Sequence, residues 1–143
     1  MRRDAAYAAL VSTLRTLARI ALGVTMTGAG ITHLTVARQE FRAQVPDWFP
    51  VDADAVVLLS GVAEVALGAS FVALPKHRRT IGALLAAFFV VIFPGNIAQY
   101  AEHTDAFGLD TDTKRLVRLF FQPLLVAWAL YGGKFLRRPE RAR

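Results

Sequence analysis

Cysteine is absent from the 143 residues. That removes disulfide exchange, thiolate metal sites and cysteine-ligated iron–sulfur clusters from the available chemistry. Histidine is scarce. Of His33, His77 and His103, only His33 falls within an apolar stretch, so no haem is expected. No flavin or other cofactor-binding motif is visible, and no residue set is assigned to a metal. Acids are outnumbered, 11 against 17 basic residues, for a net charge of +6. A nucleic-acid partner is nevertheless excluded, because the positive charge flanks apolar segments and forms no stripe along an amphipathic element.

The hydrophobic fraction, 55%, and the mean hydropathy, +0.39, are only modestly above those of soluble chains. Distribution is more informative than either number. The apolar residues gather into four blocks, at 17–36, 55–74, 81–100 and 116–136. Each is long enough for a helix that crosses a hydrocarbon core of roughly 30 Å. The expected architecture is all-α: a single domain over 1–143, built as a transmembrane four-helix bundle. The first block is placed by its arginines. A start near Tyr7 would set Arg15 and Arg19 mid-membrane, at roughly 3 kcal/mol each. A start at Leu17 lets both reach the headgroups. Residues 1–16 then form a cytoplasmic, partly amphipathic lead-in. With no convincing cleavage site after it, the first span is expected to be uncleaved.

Charge orients the bundle. The N-terminal segment, the 75–80 loop and the basic tail at 137–143, with Lys134, carry twelve basic residues and two acids. The loops at 37–54 and 101–115, with Arg118 beyond them, hold five basic residues and eight acids. Positive-inside logic puts both termini in the cytoplasm. In the first outer loop, Leu34, Ala37, Phe41 and Val45 recur at helical spacing, predicting a short interfacial helix. Trp48 and Phe49 read as headgroup-level anchors, with a lid over a cavity as the alternative.

Each span carries a polar side chain that lipid would penalise: His33, Glu64, Asn96 and Gln122. Arg118 stands one turn above Gln122. Because the helices alternate in direction, all of them fall in the outer half of the membrane. Ionisable groups there face the bundle interior and pair. The small-residue stripes Gly23–Thr27–Gly30 and Gly61–Gly68 suit close helix approach. Pro94 and Pro123 should free the carbonyls of Val90 and Leu119, adding two acceptors to the same region. Asn96 and Gln122 can be explained as helix–helix hydrogen bonds alone. Glu64 is harder to explain that way, since a deep carboxyl must be protonated or paired, with His33 as its candidate partner. His77 and His103 read as solvated loop residues.

Four segments, Gly-Ala-Gly-Ile-Thr-His (28–33), Val-Pro-Asp-Trp-Phe-Pro (45–50), Ser-Gly-Val-Ala-Glu-Val-Ala-Leu-Gly (60–68) and Phe-Pro-Gly-Asn-Ile-Ala-Gln-Tyr (93–100), follow one another in an order that resembles the DoxX-like family of small four-span bacterial membrane proteins. The resemblance implies a membrane subunit of a redox assembly linked to quinone, working with an oxidoreductase partner. Glu64 and His33 would be its proton-active pair, and His33, Glu64, Asn96, Gln122 and Arg118 its ligand contacts. A catalytic activity of its own is left open. A scaffold without chemistry and a small-solute transporter are the competing expectations, and a homo-oligomer is compatible with each.

Overall fold

A computed structural model describes residues 2–135, so the basic tail at 137–143 lies outside the described residues. Among those described there are five α-helices and no strand: α1 (Arg2–Leu34), α2 (Arg38–Arg42), α3 (Ala53–Ala73), α4 (Arg78–Ala101) and α5 (Asp112–Gly132), with a 3-10 turn at Pro75–His77 between α3 and α4. Asp52 begins α3 by accepting a hydrogen bond from the Ala55 amide at 3.0 Å, and Thr111 begins α5 by accepting from the Lys114 amide. Both cover backbone donors that a helix start leaves open. Pro75 ends α3 and opens the turn that reverses the chain into α4.

Two boundaries differ from expectation. The lead-in is no separate element: α1 runs unbroken through 33 residues, because Ala, Leu and Arg between positions 5 and 19 are all strong helix formers. Three segments are long and apolar enough to cross a membrane, Arg3–Leu34, Ala53–Ala73 and Pro75–Ala101. The block at 116–136 is not among them. Arg118, Gln122 and Pro123 dilute its hydropathy, α5 stops at Gly132, and residue 136 is not described.

α1 packs along α3 and α4 along α5; the two pairs meet where α1 touches α5 and α3 touches α4. Glycine makes the first seam close. A Cβ on Gly30 would come within 2.6 Å of the Gly61 carbonyl oxygen, and one on Gly68 within 2.7 Å of the Gly23 carbonyl oxygen. The expected small-residue stripes therefore face each other, backbone on backbone.

The apolar core lies toward the Pro75–His77 turn. Leu22, Phe71, Leu85 and Ala129 are fully buried there, with Met26, Ile81, Ala86 and Phe89 around them. Arg19 belongs to this layer. It was expected to reach outward to headgroups, but it is 6% exposed and donates from Nη1 to the carbonyl oxygens of Phe71 and, at 2.8 Å, Val72. The physical reason is proline: residue 75 has no N–H to give the Phe71 carbonyl, so α3 ends with an acceptor that a buried guanidinium satisfies. Arg15 lies 5.5 Å over the Tyr131 ring.

Candidate functional site

At the opposite end, beneath α2, the two helix pairs separate around a cavity of about 540 Å³. All five side chains singled out in the sequence line it: His33 from α1, Glu64 from α3, Asn96 from α4, and Arg118 and Gln122 from α5. Helical spacing brings them to one level. Glu64 shares the Gly61–Gly68 face that α3 turns to α1, and His33 ends the stripe that α1 turns back.

His33 and Glu64 are 7% and 4% exposed, and His33 Nδ1 lies 3.0 Å from Glu64 Oε2. The same nitrogen lies 2.9 Å from the Ala29 carbonyl oxygen. A carbonyl can only accept, so Nδ1 carries the hydrogen and donates to Ala29. Glu64 Oε2 sits beside this donor without an aligned hydrogen bond of its own. The two observations agree once distance and direction are separated: the pair is in electrostatic contact, and the carboxyl oxygen still lacks a bond that burial would make costly to omit.

Across the cavity, Asn96 Nδ2 donates to Gln122 Oε1 at 3.0 Å, and Gln122 Nε2 donates to the Phe89 carbonyl oxygen at 2.5 Å. The amides therefore tie α4 to α5, as the helix-glue reading anticipates. Gln122 reaches Phe89 rather than the proline-freed Val90, and both Val90 and Leu119 border an apolar groove between α4 and α5 that Gln122 also lines.

A cover lies over the α2 end. Phe41 of α2 stacks on His33 with ring centroids 3.2 Å apart, Phe107 packs on Phe41 at 4.5 Å, and the Arg118 guanidinium stands 5.7 Å from the Phe107 ring. The Phe107 amide donates to Glu40 Oε2 at 2.6 Å, joining the second loop to α2. Arg38 anchors α2 to α3 by a bidentate pair with Asp54, which holds the Arg38 pKa above its ordinary value. Trp48 and Phe49 line the cavity mouth while remaining exposed. The short helix was expected from the spacing of Phe41, but the stacking of Phe41 on His33 was not.

Three participants escaped sequence reasoning. Gln44 accepts from Arg118 Nη2 at 3.2 Å and donates to Gln99 Oε1 at 3.0 Å. Gln99 is 2% exposed and stands one turn after Asn96, a spacing that could have been followed. Arg115 is buried against Asp105, Asp112 and the Thr104 carbonyl oxygen, bracing the second loop. His103 is exposed but not free, with Nδ1 2.7 Å from Asp112.

No curated protein and no solved structure matches the chain. Residues 22–132, which hold every side chain of the cavity described above, match a family described as a domain of unknown function, DUF8561. That match overturns the DoxX-like resemblance. Two of the four segments behind the resemblance are glycine patterns, and close packing accounts for them: Gly30, Gly61 and Gly68 stand where two helix backbones touch. Unrelated membrane bundles meet the same demand with the same residues. The chain belongs to the DUF8561 family.

Proposed function

We propose that the chain is a four-span bundle of the bacterial cytoplasmic membrane, with both termini cytoplasmic, that holds a small amphipathic molecule in the cavity beneath α2. Exposed side chains support the membrane setting: Leu10 and Ile31 on α1, Leu59 on α3 and Val91 on α4 all present apolar surface. α5 serves as the fourth span by the same criterion. Its Leu116, Val117, Phe120, Phe121 and Leu124 are exposed, while Arg115 and Gln122 are buried. Lys76, Arg78 and Arg79 at the turn and Asp105, Asp110 and Asp112 at the other end carry the positive-inside bias. Because the chain has no native thiol, single cysteines at positions 76 and 108 test orientation directly. An impermeant maleimide should label only position 108 in intact cells.

The carrying observation is the buried, unbonded Glu64 carboxyl oxygen on the wall of a cavity large enough for a ligand. Cavities of this size, largely apolar with a few convergent polar groups, are the usual form of small-molecule sites. The association with a redox assembly rested on the overturned resemblance. A quinone is one molecule of suitable shape. Its carbonyls would meet amide and guanidinium donors, its reduction would draw protons from Glu64 and His33, and its electrons would come from a partner oxidoreductase. Protein purified in nanodiscs should release a lipophilic molecule into organic solvent, and Ser60→Phe, which fills the cavity wall, should abolish that yield while the protein remains folded. Identical extracts from both proteins would end the reading.

A further inference from the structure

Arg118 is the least matched charge of the cavity. Its guanidinium carries five N–H donors, and the bonds it makes are one to the neutral Gln44 Oε1 and a ring contact with Phe107. Among the described residues no carboxylate lies within ion-pair distance of it. The other acids of this end face other groups: Asp105 and Asp112 pair with Arg115, Glu40 accepts from the Phe107 amide, and Glu64 lies beside His33. A half-buried guanidinium under an aromatic cover, at the rim of a bilayer-embedded cavity, is stabilised by an anion that two of its donors can grip together. Below Arg118 the wall turns apolar, with Leu22, Met26, Phe89 and Leu125 at its deep end.

We infer that the cavity takes an amphiphile with an acidic headgroup, a carboxylate or phosphate gripped by Arg118 with its hydrocarbon chain lying among Leu22, Met26, Phe89 and Leu125. This rests on the ligand-holding reading above and adds the charge of the ligand.

Trp48 lines the mouth of the cavity, and Trp128, the chain's other tryptophan, lies at the far end, with Nε1 donating to the Ala18 carbonyl oxygen. Trp128→Phe therefore leaves one fluorophore at the site. In nanodiscs of zwitterionic lipid this protein is titrated with dibromostearic acid, its methyl ester and a brominated phosphatidic acid. The acid should quench Trp48 saturably and be displaced by unbrominated stearate. Arg118→Gln should raise the midpoint roughly tenfold or more, the loss expected for a charge-assisted bond, with Arg118→Lys intermediate and melting curves confirming that both variants fold. Phosphatidic acid binding as tightly as the fatty acid would support the inference and identify a lipid headgroup as the source. Displacement by acetate or inorganic phosphate would support it with a free anion as the source. Acid and ester quenching alike, both indifferent to Arg118→Gln, would overturn the acidic headgroup while leaving a ligand-holding cavity. Quenching by none of the probes would remove both.

Discussion

The two ends of the helix assembly solve the burial of polar groups in different ways. Near the Pro75–His77 turn, Arg19 is buried, and its donors satisfy the Phe71 carbonyl that proline left open and the Val72 carbonyl beside it. Near α2, Glu64 is just as deeply buried, yet one of its oxygens has no aligned bond, and open space lies before it. One end uses a charge to complete the protein's own backbone. The other keeps a charge incomplete. Groups of the first kind fix structure, and a group of the second kind is open to a further bond.

The contrast can be broken experimentally, beginning with the seam both ends share. Gly68→Leu should be the most damaging change, because its Cβ would fall 2.7 Å from the Gly23 carbonyl oxygen and from the Thr27 amide nitrogen. Backbone cannot yield as a side chain can, so the cost is about 3 kcal/mol or more, seen as failure to recover folded protein or a large fall in Tm. Next comes Arg19→Leu, which strands the Phe71 carbonyl and should cost about 1–3 kcal/mol; faster hydrogen exchange in the last turn of α3 would accompany the lower Tm. Glu64→Leu should behave oppositely. Replacing an incompletely bonded buried acid with an apolar group is close to neutral or stabilising, so Tm should hold or rise while the extracted ligand is lost. A Tm fall as large as that of Arg19→Leu would erase the distinction between the ends.

Smaller effects sharpen the picture of the cover. Phe41→Ala removes the ring stacked on His33 and should leave Tm within about 1.5 kcal/mol equivalents, while bound brominated acid dissociates several-fold faster in stopped-flow. The least effect belongs to Asp110. Its hydrogen bond from Lys114 holds the carboxyl below its usual range. Whatever it contributes is present at neutral pH and lost only as acid protonates it. Both groups are exposed, so Tm against pH for Asp110→Asn should overlie the wild type within error, even through the carboxylate range.

Much of the site was legible because membrane burial makes polarity conspicuous. His33, Glu64, Asn96 and Gln122 stood out against apolar neighbours, and counting residues from each span end put them at one depth. The count cannot show where a long side chain turns. Arg19 was read as reaching the headgroups, when Pro75, four residues past Phe71, had already created an acceptor for it in the sequence. The proline-freed carbonyls of Val90 and Leu119 were expected to draw the amides, but Gln122 bonds to the Phe89 carbonyl oxygen, one residue earlier. The loop at 102–111 was the least legible, since its course depends on Phe107 in a left-handed conformation (φ 56°), tied across the fold to Glu40.

The grip of Arg19 on the end of α3 bears on a part of the molecule it never touches. Facing glycines form a smooth rail: they allow α1 and α3 to lie very near one another without saying how far along each should sit. Arg19 is the peg in that rail. A slip of a single helical turn, about 5.4 Å, would release the peg and carry His33 out of reach of Glu64, so the alignment of that pair is set from the opposite end of the helix assembly.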